Sequence, residues 1–233
     1  MSTPGARERM LGRLRAAAPA PSPATTDLDR RIDSHFAARR HGTPPVGDLV
    51  AAMQAALQGL HAEVWCAGET AWPALLATEL GNAGVKRLLL DPASKAGAAL
   101  AAALPAQIEA IGYGRPIEAW KAELFDTVDA GFTVARSGIA ATGTLVVAPD
   151  AGSPRTVSLV PPLHVALVRA STLHVDLHMA ARTERWSDGM PTNLVLISGP
   201  SKTSDIQQTL AYGAHGPRRL WVVIETDTGE AGQ

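Results

Sequence analysis

Residues 62–90, AEVWCAGETAWPALLATELGNAGVKRLLL, contain a strand, a helix and a second strand in succession. The short apolar run Ala62–Ala67 predicts a buried strand, and Trp72–Leu80 has the apolar spacing of a helix. Two glycines end that helix, and Arg87–Leu90 predicts the next strand. A helix that connects two strands is the unit from which parallel sheets are built. This stretch therefore predicts an α/β fold.

The same alternation continues on both sides of this stretch. Apolar residues recur at helical spacing over 49–60, Ser94–Leu104 predicts an alanine-rich helix, and Gln107–Ile111 predicts a strand. Further apolar, strand-like runs lie at 132–135, 143–148, 163–168, 194–197 and 220–224. The first two of these runs have little helical sequence between them, which predicts a hairpin-like insertion. We therefore expect a three-layer α/β fold: a mixed, mostly parallel sheet with helices on both faces.

The two ends of the chain differ from this α/β region. Residues 1–45 form a predicted N-terminal helical arm and linker, with polar helices at 6–18 and 27–40 around the sequence PAPSP. The α/β domain is expected over 46–226, and a flexible tail over 227–233. Two interpretations of the arm stay open, because polar helices either pack as solvated elements on a domain's flank or bind a partner.

Composition limits the classes of function. Hydrophobic residues make up 46% of the 233, charged residues 18%, and the formal net charge is −1. This balance gives no basic face for nucleic acid, so we expect no nucleic-acid partner. No apolar run is long enough for a membrane span or a signal peptide, so we expect a cytoplasmic protein.

The chain has one cysteine, Cys66, which excludes an intrachain disulfide and any all-cysteine zinc or iron–sulfur site. Cys66 ends an apolar strand, so we expect a buried thiol. His174 and His178 have the spacing that places two imidazoles on one helical face. A zinc site needs a third ligand and the pattern HExxH is absent, so we predict no metal site.

The segment Ser198–Asp205 joins a predicted strand to a helix that we expect from about 204 to 212. One interpretation is structural: Ser201 or Thr203 caps the helix by accepting a backbone N–H. The other is functional: free N–H groups and the Lys202 ammonium bind a carboxylate or phosphate. The segment is neither a Walker A loop nor a GxGxxG dinucleotide motif.

A second glycine- and proline-containing loop, GAHGPR at 213–218, precedes the strand-like run 220–224. His215 in such a turn is held in one orientation, where it either transfers a proton and contacts a bound carboxylate or bonds the turn's own backbone. Arg218 adds a guanidinium that is suited to bidentate recognition of a carboxylate. The sequence leaves both interpretations of His215 open.

A third segment, IAATGT at 139–144, precedes a strand. Thr142, Gly143 and Thr144 offer two hydroxyls and an accessible amide to a ligand, or else they form a β-bulge with ordinary threonine packing. The nearby residues 155–159 and His164 are further polar candidates with a weaker pattern.

Four segments, taken in order, resemble the LUD-domain family, and its lactate utilization protein C (LutC/YkgG) branch in particular. They are IAATGT at 139–144, SLVPPLHVALV at 158–168, SGPSKTSDI at 198–206 and GAHGPRRL at 213–220. The family's usual forms read close to IAETGT, SGPSRTADI and GVHGPR, so Ala141, Lys202 and Ser204 replace a glutamate, an arginine and an alanine. The resemblance implies a fold similar to the NagB/RpiA/CoA transferase-like fold.

The resemblance also implies a function: a non-redox component of a three-protein system that oxidises L-lactate to pyruvate. No cofactor is then expected in this chain, and the iron–sulfur clusters belong to its partner proteins. The ligand would be a small carboxylate or a phosphate-bearing molecule, with His215 as the candidate catalytic residue. The other residues of the implied pocket are Ser198, Gly199, Ser201, Lys202, Thr203 and Arg218, with Thr142, Gly143 and Thr144 opposite.

Two alternatives to this function remain. One is a stand-alone enzyme of the same fold that acts on a CoA, phosphorylated or folate-like substrate. Ala141 argues against any such chemistry that needs the family's glutamate. The other is a ligand-sensing regulator, which would bind its ligand without turnover.

Overall fold

The computed structural model describes residues 5–17, 25–39, 42, 44–204 and 210–226. Its helices are α1 (Ala6–Ala16), α2 (Thr25–Ala37), α3 (Val46–Gly59), α4 (Trp72–Asn82), α5 (Lys95–Ala103), α6 (Lys121–Asp126), α7 (Thr156–Leu159) and α8 (Leu177–Thr183). Its strands are β1 (Glu63–Gly68), β2 (Arg87–Leu89), β3 (Glu109–Ile111), β4 (Ala130–Val134), β5 (Ser137–Ile139), β6 (Thr144–Val147), β7 (Leu163–Arg169), β8 (Leu173–His174), β9 (Val195–Ile197), β10 (Lys202–Ser204), β11 (Leu210–Tyr212) and β12 (Arg219–Thr226).

The chain divides into two compact units, one within residues 1–43 and the other within residues 44–233. The first unit contains α1 and α2, neither of which buries a residue. The second contains both main sheets and the hydrophobic core.

A six-stranded sheet of order β1-β12-β7-β4-β2-β3 forms the centre of the second unit, and every strand pair in it is parallel. The central strand β7 is buried at every residue except Arg169. Strands covered on both faces are continuously apolar, and this is why the sequence pattern of β7 shows no alternation.

Each face of this sheet carries its own hydrophobic cluster. On one face, α4 and α5 cover β7 and β12 through residues such as Leu76, Leu100 and Val165. On the other face, α3 and a second sheet cover the same strands, with Met53 and Leu145 in the cluster. The predicted α/β class with helices on both faces is confirmed.

A second, four-stranded sheet of order β8-β5-β6-β9 contains antiparallel pairs, and β10 and β11 form a separate antiparallel pair. The hairpin of the four-stranded sheet joins β5 to β6, with Ile139 opposite Thr144. The sequence predicted a hairpin-like insertion, but it missed β5 and assigned the first strand to residues that form the parallel strand β4. The mixed pairing therefore belongs to a separate sheet that packs on the parallel one.

Three local predictions are wrong. No helix occupies the described residues of 204–212: β10 and β11 pair there as an antiparallel hairpin, and residues 205–209, including Asp205, lie outside the described residues. His174 and His178 do not share a helix, because the Asp176 carboxylate accepts from Met179 N–H and begins α8 between them. Cys66 is exposed, since β1 is an edge strand that pairs with β12 alone among the described strands.

Candidate functional site

The loop that follows β9 and the loop that precedes β12 lie side by side. Ser201 N–H donates to the Pro217 carbonyl at 2.8 Å, and Gly213 N–H donates to the Ser201 carbonyl at 2.9 Å. These bonds cross between segments that the sequence analysis treated as two separate motifs. The hairpin β10–β11 connects the two loops, so its pairing brings its own ends together.

A cavity of about 350 Å³ opens between these loops and the parallel sheet. His164 and Leu220, the second residues of β7 and β12, form its floor, so the cavity lies at the amino ends of these strands. Residues of β9 and Leu159 of α7 form apolar walls. The polar side chains around the cavity are Ser158, His164, Ser198, Ser201, Lys202 and His215.

The charge of the cavity favours an anion. Lys202 brings a permanent positive charge, and His215 gains one when it is protonated. None of the lining residues that the structure describes is acidic. A concave site whose charged side chains are cationic raises the local concentration of an anionic ligand.

A chain of hydroxyls reaches the cavity from the second sheet. Thr142 Oγ1 lies 2.7 Å from Thr144 Oγ1, which in turn lies 2.7 Å from Ser198 Oγ. Ser198 is the member of this chain that lines the cavity. When each hydroxyl donates to the next, the Ser198 proton is left to point at a bound acceptor.

His164 and Ser158 are the most deeply buried polar residues around the cavity, each with 1% of its surface exposed. The His164 ring is the larger of the two side chains. Its Nε2 lies 2.8 Å from Thr133 Oγ1 on the neighbouring strand β4. Burial lowers the pKa of His164 from 6.5 to about 3, because a charged imidazolium would lose its hydration. The imidazole is therefore neutral at physiological pH.

Two glycines at the site are required by the backbone. Gly199 has φ +119°, and a Cβ there would lie 3.0 Å from the Leu60 carbonyl oxygen. Gly143 has φ +57°, and a Cβ there would lie 2.8 Å from the backbone nitrogen of Leu57 in α3. Both values lie in the left-handed region that glycine adopts without strain. Gly143 is thus packed beneath α3.

The structure brings some of the predicted pocket residues together in one cavity. Among the predicted residues, Ser198, Gly199, Ser201, Lys202 and His215 line the cavity. Thr144 reaches it through its hydrogen bond with Ser198, and Thr142 only through Thr144. Thr203 contacts the Ala211 carbonyl at 3.4 Å within the hairpin, and the exposed Arg218 packs its Cβ near Gly213, so both lie outside the lining.

Sequence analysis left two polar lining residues outside the predicted pocket, Ser158 and His164. His164 could have been identified from its position inside an apolar run, because a histidine buried there needs a hydrogen-bond partner. Ser158 donates to the Arg155 carbonyl within the short helix α7, at 3.0 Å. Sequence patterns offered no reason to assign the apolar wall residues to a cavity, because apolar residues in strands are typical of the hydrophobic core.

A second crevice, of about 310 Å³, lies at the opposite edge, where β1, β7 and β12 end. Parallel α/β sheets commonly bind ligands at this carboxyl edge. Here, however, both cationic side chains are ion-paired: Lys95 Nζ lies 2.6 Å from Glu69, and Arg169 Nε lies 3.1 Å from Glu225. The hydrogen bond from Lys95 lowers the pKa of Glu69. These ion pairs leave both cations of this crevice less available to an anion.

Larger depressions, of about 700 and 690 Å³, lie along residues 118–125 and along α2. Both are open surface grooves, and neither contains a residue of the motif loops. Within the described ranges, no group of three or more His, Cys, Asp or Glu side chains is placed to hold a metal ion. None of the helices described is both long and apolar enough to cross a bilayer.

Comparison with known proteins identifies relatives of this chain. The family model described as LUD domain matches residues 51–224. An uncharacterized protein of Neisseria meningitidis serogroup B is 39% identical over 222 residues, which cover 94% of this chain and 92% of that protein. Lactate utilization protein C of Shouchella clausii is 33% identical over 108 residues, 45% of this chain and 47% of that protein. The corresponding protein of Exiguobacterium is 35% identical over 109 residues, with the same coverage.

The match to these two lactate utilization proteins therefore spans about half of each. A crystal structure of a DUF162 family protein from Deinococcus radiodurans superposes with a TM-score of 0.59 and 23% sequence identity. The superposition covers 78% of this chain and 99% of that one. This likeness concerns the fold.

Proposed function

This chain belongs to the LUD-domain family, and from that premise we propose that it is a non-redox component of a lactate-utilization system whose amino-end cavity binds a small carboxylate. Relatives named lactate utilization protein C support the biological setting. The observation that carries the proposal is the cavity itself, where Lys202 and His215 face no acidic side chain among the described lining residues.

The chemistry of the lining supports a carboxylate ligand. Lys202 supplies the charge, and a charge-assisted hydrogen bond to a carboxylate contributes about 1.5–3 kcal/mol. The hydroxyls of Ser198 and Ser201 supply further donors at the same wall. A small phosphate ester is also an anion with oxygen acceptors, so inorganic phosphate belongs in any test of the site.

The single cysteine supports a non-redox role. A cluster held by four cysteine thiolates needs more ligands than this chain has. In the proposed system, iron–sulfur partner proteins carry the electrons and this chain binds the carboxylate. The chain would then act in the cytoplasm, together with these partners.

Calorimetric titration with L-lactate, pyruvate and inorganic phosphate tests the ligand. We expect Lys202→Ala to raise the Kd for the carboxylates about tenfold or more, because the charge-assisted bond is lost. Lys121→Ala is the matched control, since it removes an exposed lysine outside the cavity and should leave the Kd unchanged. An unchanged Kd in Lys202→Ala would refute the assignment of this cavity.

The partners need a separate experiment. Affinity capture of the tagged native protein from lactate-grown cells, followed by mass spectrometry, should recover cysteine-rich iron–sulfur proteins in stoichiometric amounts. Recovery of the protein without such partners would contradict the subunit role.

A stand-alone enzyme acting on a CoA, phosphorylated or folate-like substrate is the second candidate. One observation favours it: a cavity of about 350 Å³ falls within the usual size of sites for ligands larger than a three-carbon acid. Such an enzyme would turn over without partners and lose its activity in His215→Ala.

A further inference from the structure

His164 occupies a position where a purely structural side chain would be apolar. It lies in the central strand β7, between Leu220 of β12 and Gly131 of β4 in register. Its neighbours in β7 are buried apolar residues, Leu163 and Val165. At the same time His164 is one of the residues that line the cavity. A polar side chain thus stands where an apolar one would be expected, at the place where a ligand would contact the sheet.

The hydrogen bonds of the ring are incomplete. Nε2 pairs with Thr133 Oγ1 at 2.8 Å, whereas the buried Nδ1 has no hydrogen-bond partner among the residues that the structure describes. A buried polar atom without a partner carries a desolvation cost that no hydrogen bond offsets. A ligand that supplies the missing bond offsets that cost, and a ligand of the same shape without a polar group does not.

The two ends of the cavity differ in character. Lys202 and His215 are exposed at the mouth and suit a carboxylate. His164 at the floor is uncharged, with one ring nitrogen as donor and the other as acceptor. It therefore suits a neutral hydroxyl or carbonyl oxygen.

We propose that His164 determines the specificity of this cavity by hydrogen-bonding a hydroxyl or keto oxygen of the ligand whose carboxylate is bound near Lys202 and His215. The cavity then selects hydroxy and keto carboxylates over unsubstituted ones. This inference rests on the proposed carboxylate-binding function and adds the substituent that the ligand must carry. Thr133 acts as a positioning residue, because it fixes the ring through Nε2.

The test compares L-lactate with propionate, which has the same carbon skeleton without the hydroxyl, by calorimetric titration at neutral pH. We expect the wild-type protein to bind L-lactate about tenfold more tightly, a difference of about 1.4 kcal/mol. In His164→Leu the ratio of the two Kd values should fall to about one, chiefly through weaker binding of lactate. Lys121→Ala, outside the cavity, should keep the wild-type ratio.

The outcomes separate this inference from the proposed function. Equal wild-type affinities for the two acids would overturn the role of His164 and leave carboxylate binding intact. The same holds if His164→Leu keeps the wild-type preference for lactate. If neither acid binds, the proposed function fails and the inference fails with it.

A measurement on the wild-type protein covers the case in which His164→Leu does not fold. Nitrogen NMR of histidine-labelled protein resolves the ring nitrogens and their tautomers. L-lactate should shift the Nδ1 resonance of His164, and propionate should leave it in place. An Nδ1 resonance that does not respond to saturating lactate would overturn the proposal.

Discussion

His164 links the stability of the protein to its cavity. The imidazole is neutral in the fold, since burial lowers its pKa to about 3, whereas an unfolded histidine titrates near 6.5. Between these values only the unfolded chain binds the proton. Stability therefore falls as the pH drops below about 6.5, and it does so by about 1.4 kcal/mol per pH unit from this residue.

The first prediction concerns this pH dependence. Between pH 6.5 and pH 5, the free energy of unfolding should fall by about 2 kcal/mol less in His164→Leu than in the wild-type protein. Urea denaturation at the two pH values measures the difference. His215→Gln, which replaces an exposed histidine, should behave like the wild type. Parallel losses in the wild-type protein and His164→Leu would show that the buried imidazole is not neutral.

Sequence patterns identified some residues of the cavity and misjudged others. Ser198, Lys202 and His215 were found because glycine and proline mark loops, and loops bring polar side chains together. Thr203 and Arg218 come from the same loops, yet they lie outside the cavity lining. The burial of Cys66 was predicted wrongly, because the apolar run of β1 does not show that this strand lies at an edge.

The thiol of Cys66 lies in an exposed residue that is nevertheless partly desolvated. Its Sγ lies 3.8 Å from Gln54 Oε1, and partial desolvation by its neighbours raises the pKa of the thiol. Because its pKa is raised, the Cys66 thiol stays largely protonated at neutral pH. The thiolate is the form that reacts as a nucleophile.

At the scale of elements, the hairpin β10–β11 decides where the site forms. Lys202 pairs with Tyr212, and Ser204 pairs with Leu210. Polar, helix-compatible residues predicted a helix here. The prediction failed because local propensity is a weak indicator of structure when backbone pairing between strands is available. A helix would have presented N–H groups to an anion, whereas the hairpin instead brings Lys202 and His215 to one cavity.

The second prediction concerns the link between β6 and the loop after β9. Thr144→Val removes the hydroxyl that lies 2.7 Å from Ser198 Oγ while it preserves side-chain shape. We expect a loss of about 1 kcal/mol in the free energy of unfolding, and weaker carboxylate binding because Ser198 loses its orientation. Chemical denaturation and calorimetric titration measure the two effects.

Thr142→Val is the control for this variant. The Thr142 side chain is exposed and reaches Ser198 only through Thr144, so its effects on stability and binding should be smaller. Equal effects of the two variants would show that the hydroxyls do not act as a directed chain.

At the scale of the whole molecule, the hydrophobic core belongs to one unit. The buried residues of its clusters lie between Leu49 and Ile224, within the unit that begins at Pro44. The helices α1 and α2 contribute no buried residue. The predicted arm and linker of residues 1–45, and the role of this segment, stay predictions.

The third prediction follows from this distribution. A chain that begins at Pro44 should fold cooperatively, with a free energy of unfolding within about 1 kcal/mol of the full chain, because neither α1 nor α2 has a buried residue. Urea denaturation followed by circular dichroism compares the two chains. A loss of several kcal/mol would show that residues 1–43 contribute to the core.

Sequence patterns were sufficient to predict the elements that depend on near neighbours. These are the strand–helix alternation over 62–111 and the apolar central strands. Side chains two or four positions apart share a face, so these patterns are local. Sequence patterns did not show which loops meet, that they meet at the amino ends of β7 and β12, or that His164 lies buried there; the folded structure shows all three. Those contacts join residues far apart in the chain, and pairing between strands selects them over local preference.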